Sequence, residues 1–193
     1  MYQKHTGIIL KKHPFGEADE LLTIYTRASG KIRVKAAASR KPLSKLAGHL
    51  HSLNEIEFES AQTARRGGVS LPILISVRAL SINSYLRQNL RKFGYALVGI
   101  ETLYRLTGDG QENGEAYDAL RSFLRQLGET AEEKLALRKF QLNLLAVSGY
   151  AHPDALNPID LKLNRETEAQ IDRHLSDVLE REIKSMKVLD SLI

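Results

Sequence analysis

Cysteine is absent from all 193 residues of this sequence. Its absence excludes disulfide bonds, thiol nucleophiles and zinc sites with sulfur ligands, and nothing in the chain requires an oxidising compartment. The sequence also lacks a run of 18 apolar residues, and its first residues lack the apolar stretch of a signal peptide. Together these absences predict a soluble cytoplasmic protein without a membrane-spanning helix.

Acidic residues are missing from the segment between Thr26 and Asn54, although the whole chain carries 23 of them. The same segment holds seven cations: Arg27, Lys31, Arg33, Lys35, Arg40, Lys41 and Lys45. Uncompensated positive charge attracts polyanions, and nucleic acid is the most abundant extended polyanion in a cell. These seven residues and Lys11 are therefore candidate nucleic-acid-binding residues. The plainer alternative is a basic loop that its charge merely keeps in solution.

The first eighty residues predict short strands separated by turns, over 7–12, 21–26, 31–36, 56–59 and 69–77. Charged and apolar residues alternate strictly in 31–36, which is the period of a half-buried strand. Ile32, Val34 and Ala36 would enter a core, and the three cations between them would form one row toward solvent.

Other features of this part predict a small barrel. A helical turn or loop is expected over 42–48, a hairpin tip over 65–68, and an edge or bulge at Pro72. Tyr25 and Phe58 are expected in the core and Phe15 at the surface. Five strands with a short helix between the third and fourth favour an OB-type β-barrel, and an SH3-like barrel remains the alternative.

After Leu80 the apolar period changes to about 3.6, which predicts helices. The first is expected over 82–104, with an apolar face formed by Ile82, Leu86, Leu90, Phe93, Leu97, Ile100 and Tyr104. The second is expected to bury Tyr117, Leu120, Leu124 and Leu127. Thr130 and Glu133 have the spacing of a capping box at the start of a third helix, which is apolar on both sides and is expected to be central. A final amphipathic helix is expected over 171–189.

The charge distribution supports two modules. Residues 1–80 carry 13 Lys and Arg against 6 Asp and Glu, whereas residues 81–193 carry 15 against 17. We therefore predict an α+β chain, with a five-stranded OB-type β-barrel over 1–79 followed by an all-α helical domain over 80–193.

No catalytic constellation is visible in the sequence. His49 and His51 would share a strand face, but no carboxylate or cysteine cluster accompanies them, so no metal is expected. Glu55, Glu57 and Glu59 would align on one strand face, which is usually only hydrated. Phosphate-binding glycine loops and nucleophile-elbow motifs are missing. The sequence thus predicts neither an enzyme nor a cofactor.

Several stretches of the first part together form a family pattern. They are Thr6-Gly7-Ile8-Ile9-Leu10-Lys11, Pro14-Phe15-Gly16-Glu17-Ala18-Asp19, Leu21-Leu22-Thr23-Ile24-Tyr25-Thr26, Gly30-Lys31-Ile32-Arg33, then Arg40, Ser44, Leu46, Gly48 and Leu50. This pattern resembles the RecO family of recombination mediators. In the helical part, 137–145 with Gly149-Tyr150 is similar to the family's central helix, and 181–185 is similar to its C-terminal signature. The resemblance covers nearly the whole chain.

The resemblance implies a non-enzymatic DNA-repair factor that binds single- and double-stranded DNA and anneals complementary strands. With its partner RecR, such a protein helps to load RecA onto DNA coated by single-strand-binding protein. By position, Lys31, Arg33 and Arg40 would contact the DNA backbone. Arg138 and Lys139, beside Leu142, would bind the C-terminal tail of single-strand-binding protein.

The sequence departs from the family pattern at three points. Ala37-Ala38 replaces a common Lys-Gly pair, so one phosphate contact is lost, and Lys35 could compensate for it. The region 151–163 is short and lacks the cysteine zinc motif of many members, so zinc is not expected. The chain is also short for the family, which bears on RecR binding more than on DNA binding. Two other functions stay open: an RNA-binding or ribosome-associated OB protein, and a protein-interaction adaptor with a basic barrel.

Overall fold

The structure is a computed structural model that describes residues 2–62, 64–65, 68–151, 157–180 and 183–190. The chain divides into two compact units. The first comprises Met1–Ile82 with Asp109–Tyr117, and the second comprises Asn83–Gly108 with Asp118–Ile193. No local sequence pattern predicts that the segment 109–117 groups with the strands.

Five strands of the first unit form a closed sheet. They are β1 (Tyr2–Phe15), β2 (Asp19–Thr26), β3 (Gly30–Ala36), β4 (Glu55–Ala61) and β7 (Ile73–Ser81), in the cyclic order β1-β2-β3-β7-β4. Neighbours are antiparallel except β3 and β7, which meet in parallel through the single pair Lys35 and Ile73. Two short strands, β5 (Ala64–Arg65) and β6 (Gly68–Val69), form a separate pair. The predicted five-stranded sheet followed by helices is confirmed.

The core of the first unit follows from the alternation of each strand. Val34 and Ala36 of β3 are fully buried, and Ile32 packs against the same cluster. The cluster also contains Ile9, Leu22, Ile24, Leu50, Ile56, Phe58 and Leu74. Burying each large aliphatic or aromatic side chain contributes about 1.5–3 kcal/mol, so this cluster is the main stabilising feature of the sheet. Tyr25 and Phe58 are buried and Phe15 is exposed, as predicted.

Two local predictions about the strands need correction. The segment 42–48 forms no helix; the β3–β4 loop, residues 37–54, is a succession of turns whose hydrogen bonds include Ser44 N–H to the Lys41 carbonyl (2.9 Å) and His49 N–H to the Leu46 carbonyl (3.0 Å). The predicted strand over 69–77 is interrupted, because Pro72 lies between β6 and β7 and offers only its carbonyl, which accepts from Lys35 N–H at 2.8 Å. The predicted hairpin tip includes residues 66 and 67, which lie outside the described residues.

The described part of the chain then contains six helices: α1 (Ser84–Gln88), α2 (Leu90–Leu106), α3 (Gly114–Glu129), α4 (Glu133–Val147), α5 (Arg165–Leu179) and α6 (Lys184–Asp190). The predicted face of α3, namely Tyr117, Leu120, Leu124 and Leu127, is buried. In the second unit α4 packs against both α2 and α5, and its Leu137, Phe140, Leu144 and Leu145 are buried, which confirms it as a central helix.

The predicted apolar face of the first helix is only partly correct. Leu86 and Ile100 are buried as predicted, but Ile82, Leu90 and Leu97 are exposed. The buried residues of α2 are Tyr95, Ala96, Val98, Gly99, Ile100, Thr102, Leu103 and Leu106. Asn89 ends α1 and is the N-cap of α2, where its side chain accepts a hydrogen bond from Lys92 N–H (3.0 Å). A single helical period therefore does not extend from α1 into α2. Gly99 also admits the ring of Phe123, whose Cε1 would lie 2.4 Å from an added Cβ. A small residue at position 99 is therefore needed for this contact.

Two helix boundaries also differ from the predictions. The N-cap of α4 is Glu132 rather than Thr130, and the Thr130 hydroxyl accepts from Glu132 N–H (3.0 Å) in the preceding turn, so there is no capping box at this helix. The predicted final helix is two helices, because the left-handed φ of 52° at Glu180 ends α5. Arg181 and Glu182 of the C-terminal signature lie outside the described residues.

Candidate nucleic-acid interface

The cations of β3 are paired with carboxylates. Lys31 Nζ lies 3.3 Å from Asp109 Oδ1, and Arg33 Nη2 lies 3.5 Å from Asp109 Oδ2. Lys31 is buried, so the prediction that all three cations of the row project into solvent is wrong for this residue. Arg33 is exposed, as expected. The Asp109 carboxylate thus forms ion pairs with two of the three cations.

Asp109 reaches these cations because the segment 109–117 lies against the start of β3. Gly110 N–H donates to the Lys31 carbonyl at 2.9 Å, next to a parallel bridge between Lys31 and Asp109. Gly30 has a φ of +60°, and a Cβ there would lie 1.8 Å from the Gln111 carbonyl oxygen. The glycine is therefore required both by its backbone conformation and by the close approach. At the far end of the segment, the Tyr117 hydroxyl donates to Glu55 Oε1 at 2.6 Å.

The third cation of the row, Lys35, pairs with Asp19 of β2 at 3.3 Å. Asp19 Oδ1 also accepts from Ala38 N–H at 2.7 Å, and this hydrogen bond is the largest cause that lowers the pKa of Asp19, with Lys35 adding to it. Asp19 is therefore charged at neutral pH and compensates Lys35. Tyr25, opposite Lys31 on β2, is fully buried, and burial raises its pKa to about 12, so its neutral hydroxyl adds no charge.

Two candidate residues lie elsewhere on the strands. Lys11 is half-buried on β1, at the irregular register between Ile9 and Lys11. Arg27 is exposed in the turn between β2 and β3. The structure therefore does not gather all eight candidates into one row.

The remaining candidates, Arg40, Lys41 and Lys45, are all exposed in the β3–β4 loop. Within the described residues, no carboxylate oxygen lies within ion-pair distance of any of these three side chains. Arg40 Nη1 donates instead to the backbone carbonyls of Gly16 (3.4 Å) and Glu17 (3.3 Å) in the β1–β2 turn. We call these three residues the basic loop surface. It carries the positive charge that the strand row does not.

The sequence could not separate these cations from those of β3. All lie in one acid-free segment, and the carboxylate partners of the β3 cations come from outside this segment. Asp19 on β2 is opposite β3, a position that strand pairing could have indicated. Asp109 follows a helix, and no local pattern predicts its return to β3.

The three predicted partner-binding residues of α4 differ in burial and in their contacts. Arg138 is 2% exposed, and its Nη1 lies 2.7 Å from Asp172 Oδ1 and 3.0 Å from Gln141 Oε1. Gln141 in turn donates to the Thr102 hydroxyl at 3.2 Å. Arg138 is therefore part of a polar network with the buried Gln141 and Thr102 and with the exposed Asp172, and no sequence pattern indicates these three partners.

The other two residues of this site differ in accessibility. Lys139 is partly exposed, and its Nζ lies 3.5 Å from the Ile159 carbonyl, whereas Leu142 is buried. A peptide carboxylate that approaches Arg138 would meet Asp172 first, because the Asp172 side chain is 55% exposed. Of the three, Lys139 presents a charged group at the surface.

The acidic residues of β4 are engaged by neighbouring side chains. Glu57 lies 3.2 Å from both Lys4 Nζ and Arg78 Nη2, and Lys4 is the largest cause that lowers its pKa. Glu59 accepts from the Ser76 hydroxyl at 3.1 Å. In the part of the chain that the structure describes, no group of three His, Asp or Glu residues could hold a metal ion. No described helix is long and apolar enough to cross a membrane.

Comparison with known proteins identifies the family. Residues 1–77 match the family model described as Recombination protein O N terminal, and residues 87–153 match Recombination protein O C terminal. The DNA repair protein RecO of Acaryochloris marina is 38% identical over 153 residues, which are 77% of this chain and 50% of that protein. The corresponding protein of Roseiflexus sp. is 35% identical over 144 residues, 75% of this chain and 49% of the relative.

A further relative has a similar extent of match. The DNA repair protein RecO of Pelotomaculum thermopropionicum is 31% identical over 147 residues, 76% of this chain and 55% of that protein. The chain spans about half the length of the curated relatives that it matches. Two family models in sequence order, together with these relatives, show that the chain belongs to the RecO family.

Proposed function

We propose that this chain is a non-enzymatic DNA-repair and recombination protein of the cytoplasm, which binds single- and double-stranded DNA and anneals complementary strands. The observation that carries the proposal is the basic loop surface: Arg40, Lys41 and Lys45 are exposed, and among the described residues no carboxylate oxygen lies within ion-pair distance of them. Membership of the RecO family supports the choice of DNA over other polyanions.

Binding by such a surface is dominated by phosphate contacts. Each cation that neutralises a phosphate releases condensed counterions, so affinity falls as salt rises. Annealing then needs no catalytic group, because cations on one surface reduce the repulsion between two strands and raise their local concentration. Lys11, Arg27, Lys31, Arg33 and Lys35 stay predicted contacts, and the ion pairs of the β3 cations reduce the charge that they offer to a phosphate.

A matched pair of triple variants tests this proposal. Arg40→Ala, Lys41→Ala and Lys45→Ala combined should weaken binding to single-stranded DNA at least tenfold and reduce the slope of log affinity against log salt by about 2. The control combines Lys4→Ala, Arg78→Ala and Lys134→Ala, which removes three cations that are each paired with a carboxylate. Equal losses in both variants would show a general effect of net charge and contradict the proposed surface.

We also propose two partners that the family resemblance implies. One is RecR, with which this protein would help to load RecA onto DNA, and the other is the C-terminal tail of single-strand-binding protein. The tail would contact Lys139 first, and its terminal carboxylate would replace Asp172 on Arg138, with Leu142 beneath. Titration with a peptide that copies this tail should show weaker binding to Lys139→Ala than to Lys134→Ala, which removes a cation from the same helix. Indistinguishable affinities would contradict the assignment. RecR binding is tested separately, by co-elution of the two purified proteins.

A further inference from the structure

The tip of the β3–β4 loop exposes an apolar side chain between cations. Ser44 N–H donates to the Lys41 carbonyl at 2.9 Å, which closes a turn with Pro42 and Leu43 at its corner. Leu43 is 95% exposed, the highest value for a large apolar side chain in the described part of the chain. Proline at the second position of such a turn fixes its φ and stiffens the corner. The turn therefore holds Leu43 outward.

The base of this loop is attached to the β1–β2 turn. Arg40 N–H donates to the Ala18 carbonyl at 2.9 Å, and Ala38 N–H donates to Asp19 at 2.7 Å. The other end of the loop is held by Leu50 and Leu53, which are fully buried. The tip is consequently presented by a fixed base, which lowers the ordering cost of any contact that it makes.

A second exposed apolar group lies in the turn to which the loop is attached. Phe15 is 43% exposed at the end of β1, next to Gly16, whose carbonyl accepts from the Arg40 guanidinium. Arg40 is thus hydrogen-bonded to the residue that follows Phe15, and it precedes Leu43 by three residues in the chain. Phosphate contacts need only cations, whereas two exposed apolar side chains beside these cations fit a ligand that has apolar faces as well as charge.

Unpaired nucleotides have this combination. We infer that Leu43 and Phe15 contact unpaired bases of a single-stranded nucleic acid, while the basic loop surface binds the phosphates of the same strand. The inference rests on the proposed function and specifies its ligand. Aromatic rings stack on any base, and aliphatic side chains insert between bases, so the contact tolerates any sequence. Paired bases in a duplex are stacked on one another and offer these side chains no free face.

The test compares two ligands of equal length and charge, a single-stranded DNA oligomer with bases and an abasic oligomer. Leu43→Ser in the full chain should weaken binding to the first about fivefold to tenfold, and to the second less than twofold. Ile159→Ser, which changes another strongly exposed aliphatic residue, should leave both affinities unchanged. Phe15→Ser should behave as Leu43→Ser does. An RNA oligomer that shows the same dependence on Leu43 would also support contact with the base rather than the sugar.

A direct readout is available because the chain contains no tryptophan. Leu43→Trp should show fluorescence quenching with the base-containing oligomer and not with the abasic one. Equal losses of Leu43→Ser on both oligomers, or no loss on either, would overturn this inference and leave the proposed function standing. Failure of the wild-type chain to bind either oligomer at low salt would overturn the proposed function itself.

Discussion

Lys31 and Asp109 form an ion pair in which only the acid is open to solvent: the Lys31 side chain is 7% exposed and that of Asp109 is 58% exposed. Asp109 also pairs with Arg33, so one carboxylate lies beside two of the β3 cations. The cations of β3 that the sequence predicts as the interface are thus already compensated within the protein.

Removal of the Asp109 charge should therefore strengthen binding to DNA. In Asp109→Asn the exposed Arg33 loses its carboxylate, and we expect an affinity gain of about twofold to fivefold at low salt that disappears as salt rises. The same change removes the Asp109 carboxylate from the ion pair with the buried Lys31 ammonium, which should lower the free energy of unfolding by about 1–3 kcal/mol. Filter binding at several salt concentrations and urea denaturation measure the two effects.

Asp172→Asn, which also removes one acidic charge but from α5, is the matched control for DNA binding. A gain of the same size in this variant would mean that net charge alone is responsible, and the local competition between Asp109 and phosphate would be rejected.

The contact between Gly30 and Gln111 gives a second prediction. Gly30→Ala places a Cβ 1.8 Å from the Gln111 carbonyl oxygen and forces alanine to a φ of +60°. Because the obstacle is backbone, the segment 109–117 must move, and the free energy of unfolding should fall by about 3 kcal/mol or more. Gly16→Ala is a matched control, since Gly16 has a φ of +67° but nothing within 4 Å of an added Cβ. It should cost only about 1 kcal/mol. Equal midpoints in urea for the two variants would argue against the close packing.

These contacts show which features a sequence can predict. The alternation of 31–36 places Val34 and Ala36 in the core, and periodicity alone identifies the buried face of α3, because each pattern reflects a local geometry. The pairing of Lys31 with Asp109 depends on a chain reversal after a helix, which local periodicity does not encode. The face of α2 fails for a related reason, since Gly99 and Thr102 count as poor core residues until Phe123 and Gln141 are placed against them.

The stability of the first unit should depend on His5. Its ring stacks on Phe58 with centroids 5.0 Å apart, and burial lowers the pKa of His5 below its ordinary value of 6.5. The unfolded chain therefore binds a proton that the folded chain resists. The stability that His5 contributes is complete above about pH 6.5 and is lost as the pH falls toward the lower folded-state value, by at most about 1.4 kcal/mol per pH unit.

Urea midpoints between pH 8 and pH 5 measure this dependence. His5→Phe keeps the stacking on Phe58 and should reduce the loss of stability as the pH falls. His13→Gln, at an exposed position of β1, should not change this loss. The carboxylates with lowered pKa values, such as Asp19 and Glu57, lose their contributions at lower pH and so fall outside this window. An unchanged slope in His5→Phe would contradict the prediction.

A change in the network around Arg138 can distinguish a structural role of this residue from a role in peptide binding. Arg138 Nη1 lies 2.7 Å from Asp172, and a tail carboxylate that binds Arg138 must replace this partner. Asp172→Asn removes the competing charge, so the affinity for a peptide copying the tail of single-strand-binding protein should rise about threefold or more. The same variant leaves a buried guanidinium without its ion pair, so its thermal stability should fall without peptide and recover when peptide is added. Glu168→Gln removes an acid from the same helix, where it pairs with Lys134 at 2.6 Å, and should not change peptide affinity. The opposite result in calorimetric titration is that Asp172→Asn is less stable and binds the peptide no more tightly than the wild type. The Arg138 guanidinium would then be inaccessible to a peptide carboxylate, and its role would be to link α4 to α5.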